Sequence, residues 1–270
     1  MSRWSARQRA MLGEMGVRPW PPSPDAPDRP QLAPVVERDA RAHEGGAVTP
    51  PARPAGPAVV PTTAASPGPE PRLQRTGDMD WPALRAAVTA CTACSLCRSR
   101  TQPVFGVGNP NARWMIVGEA PGEQEDLRGE PFVGKSGQLL DSMLAALQLT
   151  RADAPAERQV YIANTLKCRP PGNRNPAPDE LAQCEPFLVR QIELVQPGII
   201  VAMGRFAVQA LLRSSEPIGR LRGRVHLYRG VPLVVTYHPA YLLRNLADKA
   251  RAWEDLCLAR EVATGAWRRD

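Results

Sequence analysis

Four short segments that are almost entirely apolar, separated by stretches with helical periodicity, constrain the fold of this chain more than any other feature. The apolar segments lie at 114–118, 160–164, 198–203 and 233–237. Apolar residues recur at helical spacing over 135–148, 179–196, 205–213 and 247–263. Strands of this kind are buried on both faces, as in parallel sheets that are covered by helices. The pattern predicts an α/β fold, with a four-stranded parallel sheet sandwiched by helices.

The chain before residue 77 differs in composition from the rest. Residues 1–76 contain 15 of the 30 prolines, with Ala, Gly, Ser and Thr between them. Residues 18–76 have too little apolar surface to offset the entropy of ordering, so we predict a disordered Pro-rich linker. Residues 1–17 predict a short helix, either without a role or as a docking peptide for a partner. The folded domain is expected to span 77–270.

Charge and hydropathy limit the partners of the chain. The net charge of +7 suits an anionic partner such as nucleic acid, although the sequence has no dense run of Lys and Arg. No apolar run approaches the roughly 20 residues that cross a bilayer. The N-terminal Arg residues are not followed by the apolar region of a signal peptide. We therefore expect a cytoplasmic protein without a membrane partner.

Chemically useful residues follow the predicted strands. In parallel sheets, ligands bind outside the carboxyl ends of the strands. The first strand leads into Glu119, the second ends at Asn164, and the fourth leads into His238. His238 enters a predicted helix start, where the helix dipole disfavours protonation of the ring. A carboxylate, a carboxamide and a neutral imidazole, which can donate a hydrogen bond to a developing anion, are expected to converge at one edge of the sheet.

The cysteine spacing predicts a metal site. The six cysteines are Cys91, Cys94, Cys97, Cys168, Cys184 and Cys257. Clustered cysteines in a chain without an export signal indicate metal ligation before disulfides. The fourth Cys-Pro of a bacterial ferredoxin and the two close pairs of a zinc ribbon are both missing. A four-cysteine site for an iron–sulfur cluster or a structural zinc remains; Cys97 can replace Cys94 in it, and Cys257 is expected in the core.

Six groups of residues, in a specific order and spacing, resemble a known family. They are CTAC at 91–94, GEAPGEQED at 118–126, EPFVGKSG at 130–137, YIAN at 161–164 with KCRPP at 167–171, NRNP at 173–176, and HPAYLLRN at 238–245. From about residue 88 to residue 262, the chain resembles the family 4 uracil-DNA glycosylases, the iron–sulfur branch of the uracil-DNA glycosylase superfamily. The first 76 residues fall outside the resemblance.

The resemblance implies the superfamily fold, an activity and a cofactor. The activity is DNA base excision: uracil is flipped out of DNA, its N-glycosidic bond is hydrolysed, and an abasic site remains. The cofactor is a [4Fe–4S] cluster. Its ligands, by position, are Cys91, Cys94, Cys168 and Cys184, which leaves Cys97 as an extra thiol.

The resemblance also implies a pocket for the base. Phe132 would stack on the flipped uracil, Asn164 would read its polar edge, and His238 would contact the ring carbonyl. The backbone around Glu119 and Ala120 would line the pocket.

The catalytic carboxylate is less clearly implied than the pocket. Ala120 stands where better-known uracil glycosylases have a water-activating Asp. Glu119 and Glu125 are therefore equal candidates for positioning the water, and His238 is expected to stabilise the uracil anion.

Basic and bulky residues near these motifs are candidates for DNA contacts. Phosphates need cationic partners, and the gap left by a flipped base can be filled by a wedge residue. The candidates are Lys135, Arg169, Arg174 and Arg244 for phosphates, and Tyr241 or Leu242 for the wedge.

Three alternatives stay open at this point. The first is a glycosylase for another deaminated or mismatched base, and the second is a non-catalytic iron–sulfur protein that binds DNA or assists a polymerase. The third is a zinc-stabilised nucleotide hydrolase. For the enzyme on uracil-containing DNA we expect a monomer of bacterial type that associates with the nucleoid, whose N-terminal extension docks a repair or replication protein.

Overall fold

A computed structural model describes residues 76–266 of the protein. The helices within this range are α1 (Trp81–Thr89), α2 (Glu123–Arg128), α3 (Lys135–Ala146), α4 (Pro178–Val195), α5 (Arg205–Leu212), α6 (Ile218–Leu221), α7 (Pro239–Leu242) and α8 (Lys249–Thr264). The strands are β1 (Val107–Gly108), β2 (Trp114–Gly118), β3 (Val160–Asn164), β4 (Ile199–Met203), β5 (Val225–Tyr228) and β6 (Val231–Thr236). The helix predicted for 1–17 and nearly all of the linker predicted for 18–76 lie outside the described residues.

The sheet contains the four predicted strands at its centre. The strand order is β1-β3-β2-β4-β6-β5, and the central four run parallel, which confirms the prediction for them. Two antiparallel edge strands, β1 and β5, make the sheet six-stranded and mixed, a correction to the sequence prediction. β1 has two residues and β5 is only partly buried, so neither has the continuous apolar run that marks a central strand.

Alternate residues of the central strands face two separate cores. Ile116 of β2 packs with residues of α3, α7 and α8 on one face of the sheet. Its neighbours Met115 and Val117 pack with residues of α4 and α5 on the other face. Full burial of such a side chain stabilises the fold by about 1.5–3 kcal/mol. The helices on both faces explain why these strands are apolar except near their carboxyl ends, at Asn164 and Thr236. No helix within residues 76–266 is both long and apolar enough to cross a bilayer.

The register of the central strands aligns their carboxyl ends. Gly118 of β2 lies opposite Asn164 of β3, and Met203 of β4 lies opposite Thr236 of β6. The segments that leave these strands therefore emerge at one edge of the sheet, where the predicted site residues are expected.

A buried ion pair joins the segment between α6 and β5 to α8. The Asp255 side chain is fully buried and lies 3.0 Å from the Arg222 guanidinium, whose side chain is 15% exposed. The backbone N–H of Gly223 also donates to the Asp255 carboxylate, at 3.2 Å. Burial raises the pKa of Asp255 to about 6, and the Arg222 charge opposes that rise.

Arg222→Ala is expected to destabilise the protein by about 3–5 kcal/mol, because it leaves a buried carboxylate without its cation. Arg229→Ala is the matched control: Arg229 pairs with Glu193, but its side chain is 53% exposed, so its loss is expected to cost at most about 1 kcal/mol. Chemical denaturation of both variants measures the difference. Equal destabilisation would show that the Arg222–Asp255 pair does not hold the segment before β5 to α8.

Candidate active site

A cleft of about 730 Å³ opens at the carboxyl ends of the parallel strands. Six residues predicted for catalysis or base binding line it: Glu119, Ala120, Glu125, Phe132, Asn164 and His238. They come from the carboxyl ends of three different strands or the segments just after them, from α2 and from the segment before α3, so only the fold brings them together.

Gly118 has no side chain, and this allows the neighbouring side chains of Asn164 and Phe132 to approach each other. A Cβ atom at Gly118 would lie 2.5 Å from the Asn164 Oδ1 atom and 2.5 Å from the Phe132 ring. Phe132 itself has a φ of 56°, in the left-handed region. A Cβ at Gly137 would lie 1.7 Å from the Phe132 carbonyl oxygen. The two glycines permit the close packing that sets the Phe132 ring beside the Asn164 amide.

The Asn164 amide is buried in the wall of the cleft. The residue is 2% exposed, and its Oδ1 atom has no hydrogen-bond partner among the described residues. An unpaired buried acceptor costs about 1–3 kcal/mol. Such an acceptor in a cleft is suited to a ligand that offers an N–H group.

The His238 ring is neutral and its tautomer is defined by a backbone contact. The Nδ1 atom accepts a hydrogen bond from the Ala240 N–H, at 3.2 Å, so the neutral ring carries its proton on Nε2. Burial lowers the pKa of His238 to about 4. The ring stacks against Phe132 with a centroid distance of 5.3 Å and an interplanar angle of 27°. His238 can thus offer an Nε2–H donor at neutral pH.

The two carboxylates that were equal candidates have different surroundings. The Glu125 oxygens accept hydrogen bonds from three backbone amides, those of Gly122, Val133 and Gly134, at 2.9–3.1 Å. These bonds tie the start of α2 to the Phe132 segment. Burial raises the pKa of Glu119, and the Arg205 charge opposes the rise. The Glu125 carboxylate therefore holds this loop, whereas the Glu119 carboxylate lies in the cleft near the Arg205 charge.

The residues expected to contact DNA are only partly gathered at the cleft. Arg174, Tyr241 and Arg244 line it, whereas Lys135 and Arg169 lie outside its lining. Arg174 donates to both Glu180 oxygens, at 2.9 and 2.6 Å. The Tyr241 hydroxyl donates to Asp248, at 2.7 Å.

Leu242 does not fit the predicted wedge role. Its side chain is 0% exposed and belongs to the core beneath α7. A wedge residue must leave its packing to enter a base stack, and Leu242 could do so only by disrupting that core. Leu243, the next residue, is 41% exposed. The prediction for Leu242 is therefore wrong, because helical geometry turns it inward.

Arg205 is a lining residue that the sequence analysis missed. It follows Gly204 at the end of β4, is exposed, and its guanidinium carbon lies 4.4 Å from the centre of the Phe206 ring. Its position at the carboxyl end of a parallel strand was a signal that could have identified it.

The four predicted ligand cysteines line one small cavity. Cys91, Cys94, Cys168 and Cys184 contribute to its wall, and Cys97 does not. None of the cysteines within 76–266 forms a disulfide. Among these same residues, no three His, Cys, Asp or Glu side chains are arranged to hold a metal ion directly.

Polar groups surround the sulfur atoms of this cavity. The Arg100 guanidinium donates to the Cys168 Sγ atom, at 3.0 Å. The Lys167 backbone N–H donates to the Cys184 Sγ atom, at 3.2 Å. Burial raises the pKa of Cys184 to about 12. N–H donors and a nearby cation are suited to sulfur ligands that carry negative charge, so the residues present fit a thiolate-bound group.

Comparison with known proteins gives a consistent result. Residues 105–257 match the model of the uracil DNA glycosylase superfamily. The chain is 44% identical to the type-4 uracil-DNA glycosylase of Archaeoglobus fulgidus over 164 residues, which cover 58% of this chain and 79% of that protein. It is 43% identical to the type-4 enzyme of Thermotoga maritima, with 61% and 83% covered.

The chain belongs to the type-4 uracil-DNA glycosylases. A type-5 uracil-DNA glycosylase, from Pyrobaculum aerophilum, is less similar, at 36% identity over 53% of this chain and 68% of that protein. The superfamily match contains the six cleft residues together with Cys168 and Cys184. Cys91 and Cys94 precede the matched range.

Gly118→Ala is expected to impair this type-4 site, because the added methyl group meets Asn164 and Phe132 at 2.5 Å. Overpacking of this kind destabilises a protein by about 1–3 kcal/mol. Gly77→Ala is the control, since a Cβ there meets nothing within 4 Å. Thermal unfolding and excision rates measure both effects. A Gly118→Ala protein with the stability and rate of the control would contradict the close packing.

His238 is expected to remain neutral, with its proton on Nε2, down to about pH 5, because burial lowers its pKa to about 4. The pKa of an unfolded histidine is about 6.5, so the unfolded state binds more protons in the interval between. The stability that His238 contributes is therefore lost as the pH falls from about 6.5 towards 4. Nuclear magnetic resonance of ¹⁵N-labelled histidines reads the tautomer, with His238→Gln to assign the signals. A ring that protonates near pH 6.5 would refute this assignment.

Proposed function

We propose that the protein hydrolyses the N-glycosidic bond of uracil in DNA and leaves an abasic site. The observation that carries this proposal is the buried Asn164 acceptor, unpaired among the described residues, beside the Phe132 ring and the neutral His238 imidazole. The names of the type-4 relatives support the same reaction. A base in the duplex cannot reach such a buried amide, so the nucleotide must be flipped out, at a cost of a few kcal/mol.

Asn164 distinguishes uracil from cytosine in this proposal. Its carboxamide has an acceptor, Oδ1, for the uracil N3–H and a donor, Nδ2, for O4. Cytosine has the opposite pattern on this edge and would leave both groups unpaired. A site built on hydrogen bonds rejects such a mismatch strongly. Phe132 supplies an apolar face for stacking, typically worth about 1–3 kcal/mol per base.

Bond cleavage separates positive charge on the sugar from negative charge on uracil. His238 donates its Nε2–H to the developing uracil anion, a contribution of about 3 kcal/mol for one donor. Glu119 orients a water and offsets the sugar's positive charge. Glu125 acts on the same reaction indirectly, through the three amides that hold the Phe132 segment.

DNA is held by basic residues around the cleft. Arg174, Arg205 and Arg244 line it. Lys135 and Arg169 lie outside this lining and would contact the phosphates of a strand that continues past the cleft. We propose Tyr241 as the residue nearest the gap that a flipped base leaves. The enzyme would act as a monomer on DNA in the cytoplasm, and its N-terminal extension would dock a repair or replication protein.

Cys91, Cys94, Cys168 and Cys184 would hold a [4Fe–4S] cluster. When bound, the cluster supplies a cross-link through thiolate ligands rather than chemistry on DNA. Arg100 and the Lys167 N–H would stabilise the thiolates. The two close cysteines precede the domain's first strand and the other two flank the 169–176 segment, so the cross-link would order the Arg169 and Arg174 region.

A duplex with one uracil, incubated with protein and then treated with alkali, is expected to break at uracil and not at a matched thymine. His238→Gln is expected to lower the single-turnover rate by about 10²–10³, because one anion-stabilising donor is lost. His226→Gln is the matched control, since His226 lies in the β5–β6 hairpin and bonds the Leu221 carbonyl. An absence of strand breaks at uracil would refute the proposed reaction. Equal losses of rate in His238→Gln and His226→Gln would refute the role of His238.

Cys184→Ser is expected to abolish the brown colour and most of the bound iron, whereas Cys97→Ser and Cys257→Ser retain them. The reason is that Cys184 lines the cavity, whereas Cys97 and Cys257 do not. Iron, sulfide and zinc analysis of anaerobically purified proteins provides the measurement. Stoichiometric zinc without iron, or loss of iron in Cys97→Ser alone, would refute this ligand set.

A further inference from the structure

Lys167 is a buried amine that the proposed reaction does not use. The residue is 1% exposed and ranks among the largest side chains that are fully buried. A buried lysine is unusual, because removing its amine from water is costly unless its N–H groups are bonded. It lies three residues after Asn164 and directly before Cys168.

The Lys167 side chain bonds the backbone of the base-reading residue. Its Nζ atom donates to the Asn164 carbonyl oxygen, at 2.7 Å, and to the Gln191 Oε1 atom, at 2.6 Å. Gln191 in turn donates to the Phe105 carbonyl and the Tyr161 hydroxyl, at 2.9 and 3.1 Å. The amine therefore anchors the Asn164 peptide to a hydrogen-bonded network within the fold.

The same residue reaches the cysteine cavity through its backbone. The Lys167 N–H donates to the Cys184 Sγ atom, at 3.2 Å, and Lys167 lines the cavity itself. Lys167 is thus bonded at one end to a cluster ligand and at the other end to the residue that would read uracil.

The direction of the Asn164 amide depends on its backbone. No hydrogen bond to the Asn164 Oδ1 atom exists among residues 76–266, so its acceptor is not held by a polar partner of its own. Gly118 leaves the space for the amide, and the peptide after Asn164 sets the direction from which the side chain enters it. A donor that fixes the Asn164 carbonyl therefore also holds the Cα–Cβ bond from which the side-chain amide extends.

We infer that Lys167 is a positioning residue for base discrimination: it holds the Asn164 carbonyl and links the direction of the reading amide to the cysteine site. The inference rests on the proposed function. Loss of the amine frees the Asn164 peptide, and the amide then accepts bases whose edge does not match. Lys167 does not line the cleft, so its effect is on selectivity more than on chemistry.

The test compares the wild type with Lys167→Met, which keeps most of the side-chain length and removes the amine. Fluorescence anisotropy measures binding to duplexes with one 2′-fluoro-2′-deoxyuridine or one 2′-fluoro-2′-deoxycytidine, in which the fluorine suppresses cleavage. In Lys167→Met, the ratio of the affinity for the uracil duplex to that for the cytosine duplex is expected to fall at least about tenfold, while the iron content stays unchanged. Lys249→Met is the matched control, because Lys249 is also buried, at 7% exposure, but lies at the start of α8.

If Lys167→Met loses iron or does not fold, two variants of Gln191 test the inference instead. Gln191→Glu keeps an acceptor for the Lys167 amine, whereas Gln191→Leu removes it. Selectivity is expected to stay near the wild-type ratio in Gln191→Glu and to fall severalfold in Gln191→Leu. Equal ratios in these two variants would overturn the inference.

The outcomes also separate this inference from the proposed function. Wild-type protein that neither prefers uracil duplexes nor cleaves them would overturn the proposed function and the inference together. A selective wild type with an equally selective, iron-loaded Lys167→Met would overturn the inference alone. A loss of iron and selectivity in Lys249→Met as large as in Lys167→Met would assign both effects to the removal of any buried amine.

Discussion

The parallel pairing of β2 with β3, with Gly118 opposite Asn164, is the constraint on which the cleft depends. Because these strands end at the same level, the loops that follow them share one edge of the sheet. Gly118 has no Cβ, so the Phe132 ring and the Asn164 amide approach each other at that edge. A side chain at Gly118 would separate the stacking surface from the base-reading group.

The cleft holds several polar groups in buried surroundings, where a charged group or an unpaired hydrogen-bonding atom is costly. Burial lowers the pKa of His238 to about 4 and raises the pKa of Glu119, and the Asn164 acceptor has no partner among residues 76–266. Each of these states costs stability, which the two large cores on either face of the sheet offset. A site with this cost is suited to a ligand that supplies the missing hydrogen bonds.

The cysteine cavity connects distant parts of the chain. One close pair of cysteines precedes the first strand, and the other two cysteines flank the segment that carries Arg169 and Arg174. A third cluster of apolar residues, from α1 and α4, packs around the cavity. Through Lys167, this region is bonded to the end of β3, so the proposed cluster and the base pocket share one short segment of backbone.

The sequence by itself determined the central strands, the long helices, and the residues that follow each parallel strand. These follow from apolar periodicity, which encodes burial locally, and from the rule that ligands bind at carboxyl ends of strands. The resemblance supplied the individual roles, and the cleft gathers all six predicted catalytic and base-binding residues. The short edge strands β1 and β5 carried too weak a pattern to be predicted.

Only the tertiary structure decided what each side chain contacts. It turned Leu242 into the core, engaged Glu125 with three amides, and brought Lys167 into a position that spacing does not reveal. The reason is physical: periodicity reports which face of an element is buried, whereas the partner of a polar group comes from residues far away in sequence. That partner exists only once the sheet and its helices have packed.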